Sequence, residues 1–436
     1  MRLSALTAAV SAFALVAACG GEGETASTTQ TGGAPVETNA PNAPNQQPAF
    51  EGQTRAPGVQ TTVQMVSETV AEGLASPWGL VPLPEGGFLV TEKAGALRMV
   101  SAGGEVSDPI AGVPEVVSEG QAGLLDVELS PDFASDRQVY MSFSEPRQGG
   151  NGTAVARGRL SDDGTRLENV ETIFSAMPTY ANFMHYGSRI VFDRQGRLYV
   201  TLGERSDLET RPQAQDLGSH LGKIVRINAD GSVPADNPFV DQDGALPEIW
   251  SWGHRNVQGA ALHPETGELW SIEHGARGGD EVNISRAGQN YGWPIAAYGI
   301  EYRGGAIGEG NTTAPDTVQP IYYWDPVIAP GGAIFYRGDM FPDWNGDLLV
   351  SGMGGQHLAR LVLDGERVVG EERLLTGLGA RIRDVAVGGD GAVYVITDDE
   401  NGQLVRLRRA DLPPSPAPSS GLEQSRATRL QGGQGT

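Results

Sequence analysis

Hydrophobic and polar positions alternate along this chain in short bursts rather than in helical periods. Apolar runs of five or six residues stand between turns rich in Gly, Asp, Asn and Pro, a pattern that predicts β-strands and hairpins. One phrase recurs six times: GFLVTE at Gly87, QVYMSF at Gln138, RLYVTL at Arg197, ELWSIE at Glu268, DLLVSG at Asp347 and AVYVIT at Ala392. A partner strand follows each, as ALRMV, AVARGRL, KIVRI, DEVNI, HLARLVL and QLVRLRR. The preceding turns PEGG, DRQGR, PETGE and GGDGA suit hairpins that need positive φ.

From Phe88 onward the repeats are spaced by 51, 59, 71, 79 and 45 residues. A four-stranded propeller blade takes about 40–50 residues, so the long spacings imply insertions that project from the disc and build a pocket. The expectation is an all-β fold, a six-bladed β-propeller with four-stranded antiparallel blades. MVSETVA near Met65 precedes the first repeat and is expected to close the ring against the last blade.

The ends read differently. Arg2, the apolar stretch from Leu3 to Val16 and the small residues before Cys19 form an export signal that resembles a lipobox, with Cys19 as the lipidation point. The expected organisation is a lipoprotein-type signal over 1–19, a flexible tether over 20–60, the propeller over 61–410 and a disordered tail over 411–436. This places the protein on the periplasmic side of a bacterial membrane, attached only through lipid. The 54 acidic and 31 basic residues, net charge −23 with no basic run, exclude nucleic acid as a partner and favour cation binding.

Residues with chemical potential flank the strands. GQAGLLDVELSP carries Gln121 in a Gly-flanked turn. His185 precedes one strand and Glu204 follows the next, so antiparallel pairing would give an imidazole base oriented by a carboxylate. Arg255 and Asn256 end a turn, and EHGARGGDE offers carbonyls and carboxylates suited to a hard cation such as Ca²⁺. Arg381 and Arg383 fall on one side of a strand, where two guanidinium forks can hold carboxylates.

GQAGLLDVELSP, His185 with LGER, GHRNVQG, EHGARGGDE, NYGWP and RIRDV, in that order, resemble the aldose sugar dehydrogenases and soluble glucose dehydrogenases that use pyrroloquinoline quinone (PQQ). The likeness runs from about Ala75 to Arg409. It implies a six-bladed propeller with PQQ and Ca²⁺ in a central funnel, oxidising aldoses at the anomeric carbon to lactones. His185 is then the base that takes the anomeric hydroxyl proton as hydride passes to the quinone. Glu204 orients it, Gln121 lies beside the reacting oxygens, and Arg255 stabilises the developing charge. Asn256, Arg381 and Arg383 hold PQQ, with Gln121 and Arg255 contributing. Carbonyls of Gly275 and Ala276 bind Ca²⁺ with Asp280 behind them, and Glu281 and Tyr291 match a separate calcium site.

The sequence departs from the family at three positions. Gly354 stands where a PQQ-contacting lysine is expected, Val327 where a hydroxyl contacts the cofactor, and Met184 where an acid precedes the base. These departures favour, as the alternative, a propeller that binds without catalysis. A calcium lactonase would need carboxylates and amides around a central metal, which an arginine-lined funnel does not provide. The implied partners are an aldose, an electron acceptor that is a quinone or cytochrome, and at most one further copy of the chain, making it a monomer or homodimer.

Overall fold

A computed structural model describes residues 29–412, so Cys19 and the tail from residue 413 lie outside the described residues. Six sheets, antiparallel except where one outer strand is added to the fifth, surround one axis. Their innermost strands are Pro77–Pro82, Leu124–Leu129, Gly187–Phe192, Val257–Leu262, Pro330–Phe335 and Ile382–Val387, each packed beside the next around a closed ring. Each strand phrase of the repeat is therefore the second strand of its blade, because an inner strand precedes it.

Four blades have four strands. The first has three, Pro77–Pro82, Phe88–Glu92 and Ala96–Val100. The fifth gains two, because Gly58–Thr61 joins its edge in parallel at Glu371 and pairs in turn with Thr29–Gly33. Met65–Leu74 pairs antiparallel with Gly402–Arg409, so the sixth blade is built from both ends of the domain, as expected. The hairpin glycines Gly196, Gly267 and Gly391 take φ of 76°, 74° and 75°. A Cβ is disfavoured in that region.

Neighbouring blades bury their facing side chains. Val81, Leu89 and Leu97 of the first blade pack with Val127, Met141 and Ala156 of the second, and all six are buried. On the axis the inner strands carry a polar node: Arg189 pairs with Asp126 at 2.7 Å and Asp384 at 3.0 Å and donates from Nε to the Gln258 carbonyl. Asp384 also accepts the Leu80 N–H, so five of the six blades meet at this node.

The segment expected to be a tether is docked over much of its length. The Asp325 carboxylate accepts N–H groups of Asn42 and Ala43 at 2.8 and 3.0 Å, Gln46 bonds both backbone groups of Gly299, and Gln53 is fully buried with its Nε2 on the Pro320 carbonyl. The segment holds few apolar residues, and its composition therefore suggested disorder. Hydrogen bonds to loops of the fourth and fifth blades, and the small buried Ala43 and Ala56, hold it instead.

Candidate active site

Strand direction alone gathers the candidate residues at one end of the disc. Inner strands start there and second strands finish there. Gln121, His185, Arg255, Asn256 and Arg381 precede inner strands, and Arg383 lies near the start of one. Glu204, Gly275 and Ala276 follow second strands.

His185 and Glu204 meet, with Nδ1 of the imidazole 2.7 Å from Oε2 of the carboxylate, both buried. Burial pushes the His185 pKa down, and the Arg255 charge adds to this against the pull of Glu204. Burial opposes ionisation of Glu204, but His185, Arg255 and the Ser206 N–H outweigh it and hold the carboxyl below its usual range. The pair is thus a neutral imidazole donating Nδ1–H to a carboxylate. Its Nε2 is left to accept a proton, with no hydrogen-bond partner among the described residues.

The backbone around this pair is strained. His185 has φ of 48°, and Arg205 and Ser206, next to Glu204, have 70° and 72°. Gly203 makes the approach feasible, because a Cβ there would lie 2.1 Å from the His185 carbonyl oxygen. Arg205, which the sequence reading passed over, clamps the base's loop: it donates to the Met184 carbonyl at 2.9 Å and to Asn151 Oδ1 at 2.7 Å, and lies 4.1 Å from the Tyr186 ring centroid. Gln121 holds the same loop, accepting the His185 N–H at 2.8 Å.

A cavity of about 250 Å³ is lined by Gln121, Asn256, Arg381 and Arg383, and it reaches the base's loop at Tyr186 and Gly187, with His185 and Glu204 themselves outside its wall. Trp78, Lys93, Gln258 and Asp398 also line it, and none of these was singled out from sequence. Asp398 accepts from Arg381 Nε at 2.8 Å and from Arg383 Nη2 at 3.0 Å. Burial works to raise its pKa, and the two arginines bring it below the ordinary aspartate value. Two buried donors have no partner, Asn256 Nδ2 and Arg383 Nε. Unsatisfied donors in a cavity with this much positive charge mark a place for an oxygen-rich anion.

Arg255 is buried on the fourth blade, donating from Nη1 to the carbonyls of His274 and Gly275 at 3.0 and 2.6 Å, while its Nε has no partner. The Gly275 carbonyl, expected to face a cation, is therefore held by Arg255. Ala276 packs with Ala214, Trp293 and Ile307. Asp280 bonds the N–H groups of Gly275, Ile328 and Ala329, each at 2.8 Å, and ties the two loops together; burial raises its pKa to about 7 against these bonds.

Glu281 and Tyr291 line a second, tiny space of about 10 Å³ with Glu273. Burial and the neighbouring Glu273 push the Glu281 pKa well up. The Tyr291 hydroxyl points elsewhere, donating to the Ile284 carbonyl and accepting from the Arg286 N–H. Among the described residues no three His, Cys, Asp or Glu side chains are grouped to hold a metal, so a cation at either place would draw on carbonyl oxygens. Val327 lies beside the Asp280-bound loop, and Gly354 abuts Ala329, to whose Cβ its own would come within 3.1 Å.

Comparison with known proteins gives a consistent set of relatives. The profile of the glucose/sorbosone dehydrogenase family matches residues 74–406. Aldose sugar dehydrogenase YliI of Escherichia coli is 44% identical over 343 residues, 78% of this chain and 92% of that protein. A crystal structure of a glucose dehydrogenase superposes with a TM-score of 0.76 at 48% identity, covering 78% of this chain and 99% of the other. The PQQ-bound aldose sugar dehydrogenase of Streptomyces coelicolor superposes with a TM-score of 0.65 at 29% identity, over 79% and 99% of the two chains.

Proposed function

Because the chain belongs to the glucose/sorbosone dehydrogenase family, we propose that it is a PQQ- and Ca²⁺-dependent dehydrogenase that oxidises aldoses at the anomeric carbon to lactones. The observation that carries this reading is a neutral, carboxylate-oriented histidine next to a cationic cavity with unpartnered donors.

The residues present fit the cofactor. A planar tricarboxylate matches Arg381 and Arg383, and Asn256 Nδ2 and Arg383 Nε are the donors left over for its oxygens. When bound, PQQ supplies the carbonyl carbon that takes the hydride, with Ca²⁺ polarising its oxygen. The chain does the rest. His185 Nε2 takes the proton of the anomeric hydroxyl, and the resulting imidazolium is stabilised through Nδ1–H by Glu204. Gln121 and Arg205 keep the imidazole aimed by fixing its loop. Arg255 keeps a desolvated positive charge near the pair, where it favours a developing oxyanion. The Ala276 carbonyl, and the Gly275 carbonyl once Arg255 Nη1 releases it, would take the Ca²⁺, with Asp280 holding the loop from behind and Glu281 with the Tyr291 backbone offering a second place.

The test is reconstitution of quinone-free protein with PQQ and Ca²⁺, followed by dye reduction across an aldose panel. Sugar-dependent reduction that disappears in His185→Asn is expected, and failure to bind PQQ at micromolar concentration defeats the reading. The physiological acceptor would be a quinone or cytochrome. We also assign Cys19 as a lipid anchor on the periplasmic side. Palmitate labelling that survives Cys19→Ser would overturn that assignment.

A further inference from the structure

Lys93 directly follows the second strand of the first blade, Phe88–Glu92, and lines the same cavity as Gln121, Asn256, Arg381 and Arg383. Its backbone is pinned on both sides: its N–H donates to the Ser76 carbonyl at 3.1 Å, and its carbonyl accepts the Leu124 N–H at 3.1 Å. Gly123, at φ of 154°, makes room for that root, since a Cβ there would lie 2.4 Å from the Lys93 carbonyl oxygen. The side chain therefore starts from a fixed point at the cavity wall.

The ammonium is poorly compensated. Nζ donates to the Gly120 carbonyl at 2.7 Å, and among the described residues its other two N–H groups have no hydrogen-bond partner and no carboxylate forms an ion pair with it. Burial and the charge of Arg383 pull its pKa below the ordinary lysine value, with Asp398 acting the other way. Asp398 is the one carboxylate lining the cavity, and both arginines already engage it. Three cations thus share one anion, leaving a formal excess of two positive charges in a chain whose net charge is −23. Water reaches Lys93 and Arg381 and screens this excess, and an anion entering the cavity would meet it directly.

We propose that Lys93 is a cofactor-binding residue that holds a carboxylate of PQQ from the first blade. The inference rests on the quinoprotein reading above and deepens it. It supplies, from a different blade, the cation that the sequence lacks at Gly354.

The test is an equilibrium titration of quinone-free protein with PQQ at fixed Ca²⁺ and without sugar, followed by quenching of tryptophan fluorescence, Trp78 being in the cavity wall. Lys93→Met keeps the length of the stem and removes the charge, so affinity should fall roughly ten- to a hundredfold, while Lys93→Arg should stay within about threefold of wild type. Melting temperatures without quinone should be the same for all three proteins. Wild-type affinity in Lys93→Met overturns the inference, as does an Arg variant as weak as the Met variant. A loss of stability in the quinone-free Met variant that accounts for its weaker binding would also overturn it, by assigning Lys93 to holding Gly120. A wild-type protein that fails to bind PQQ would instead sink the quinoprotein reading itself, so the two failures are distinct.

Discussion

The propeller axis opens at both ends, and the two cavities differ in lining and in charge. The one beside His185 measures about 250 Å³ and is lined by Lys93, Arg381 and Arg383 with unpartnered donors. The other, about 530 Å³, is walled by Val81, Ile190, Phe192, Leu262 and Phe335, with Asp126, Glu128 and Asp384 as its acids. Arg189 lies between them, bonded to both acids of the node and stacked 4.8 Å from Trp78 on the funnel side. The larger space holds none of the residues proposed for the reaction. Clustered cations beside an oriented imidazole mark a reaction site better than volume or a single orphan donor does, since Arg189 Nη2 at the other mouth also lacks a partner.

The sharpest way to break this contrast is to disable one end and leave the other alone. His185→Asn should lower kcat by roughly 10²–10⁴-fold in the reconstituted enzyme, the range for loss of a general base, whereas Glu128→Gln at the opposite mouth should leave kcat within about twofold. Steady-state rates on one aldose decide it, and equal losses in both would erase the distinction.

Gly203→Ala comes next. The new methyl must displace the His185 carbonyl, so we expect a loss of about 1–3 kcal/mol in urea melts together with a fall in kcat. The equivalent change at Gly196, where a Cβ meets nothing within 4 Å, should leave kcat intact.

The pH response separates the mouths more finely. With its pKa lowered, His185 works as a base only when neutral, so kcat/KM should climb with pH through that lowered value and level off above about 6.5. An acid limb centred above 6.5 would contradict the neutral pair.

The smallest effect belongs to Glu128, whose pKa burial raises to about 8, helped by Asp126. A raised folded pKa contributes stability that is complete below the unfolded value near 4.5 and is lost as the pH rises through about 8. Glu128→Gln has no such group to ionise. Its melting temperature relative to wild type should therefore improve between pH 5 and pH 9, by a few degrees at most. A constant difference would show that Glu128 keeps an ordinary pKa.

Much of this was legible in the sequence because the signal was local. Six strand phrases with their turns are short-range patterns, and they disclosed six blades and the closing strand at Met65. The inner strands were missed as members of the repeat because runs such as LLDVEL and IRDVAV are near-continuous buried segments without alternation. The docking of residues 34–57 was invisible for a different reason. It depends on Asp325, Gly299 and Pro320, partners some 250 residues away or more. The site divides in the same manner. His185, Glu204 and the arginine pair sit in distinctive motifs, whereas Lys93, Asp398 and Trp78 lie in ordinary strand ends and become site residues only when the first and sixth blades are brought together.

The closure of the sixth blade sets an order of events during synthesis. Met65–Leu74 is made well before its partner Gly402–Arg409, with Glu68 and Arg408 separated by 340 residues. Until then the nascent chain carries an unpaired edge at each end of an open arc, a state with exposed backbone donors and acceptors that other chains can join. The ring latches only once Gly402–Arg409 has been made. Removal of the final strand should therefore cost more than its eight residues suggest, leaving an arc prone to assemble with other copies.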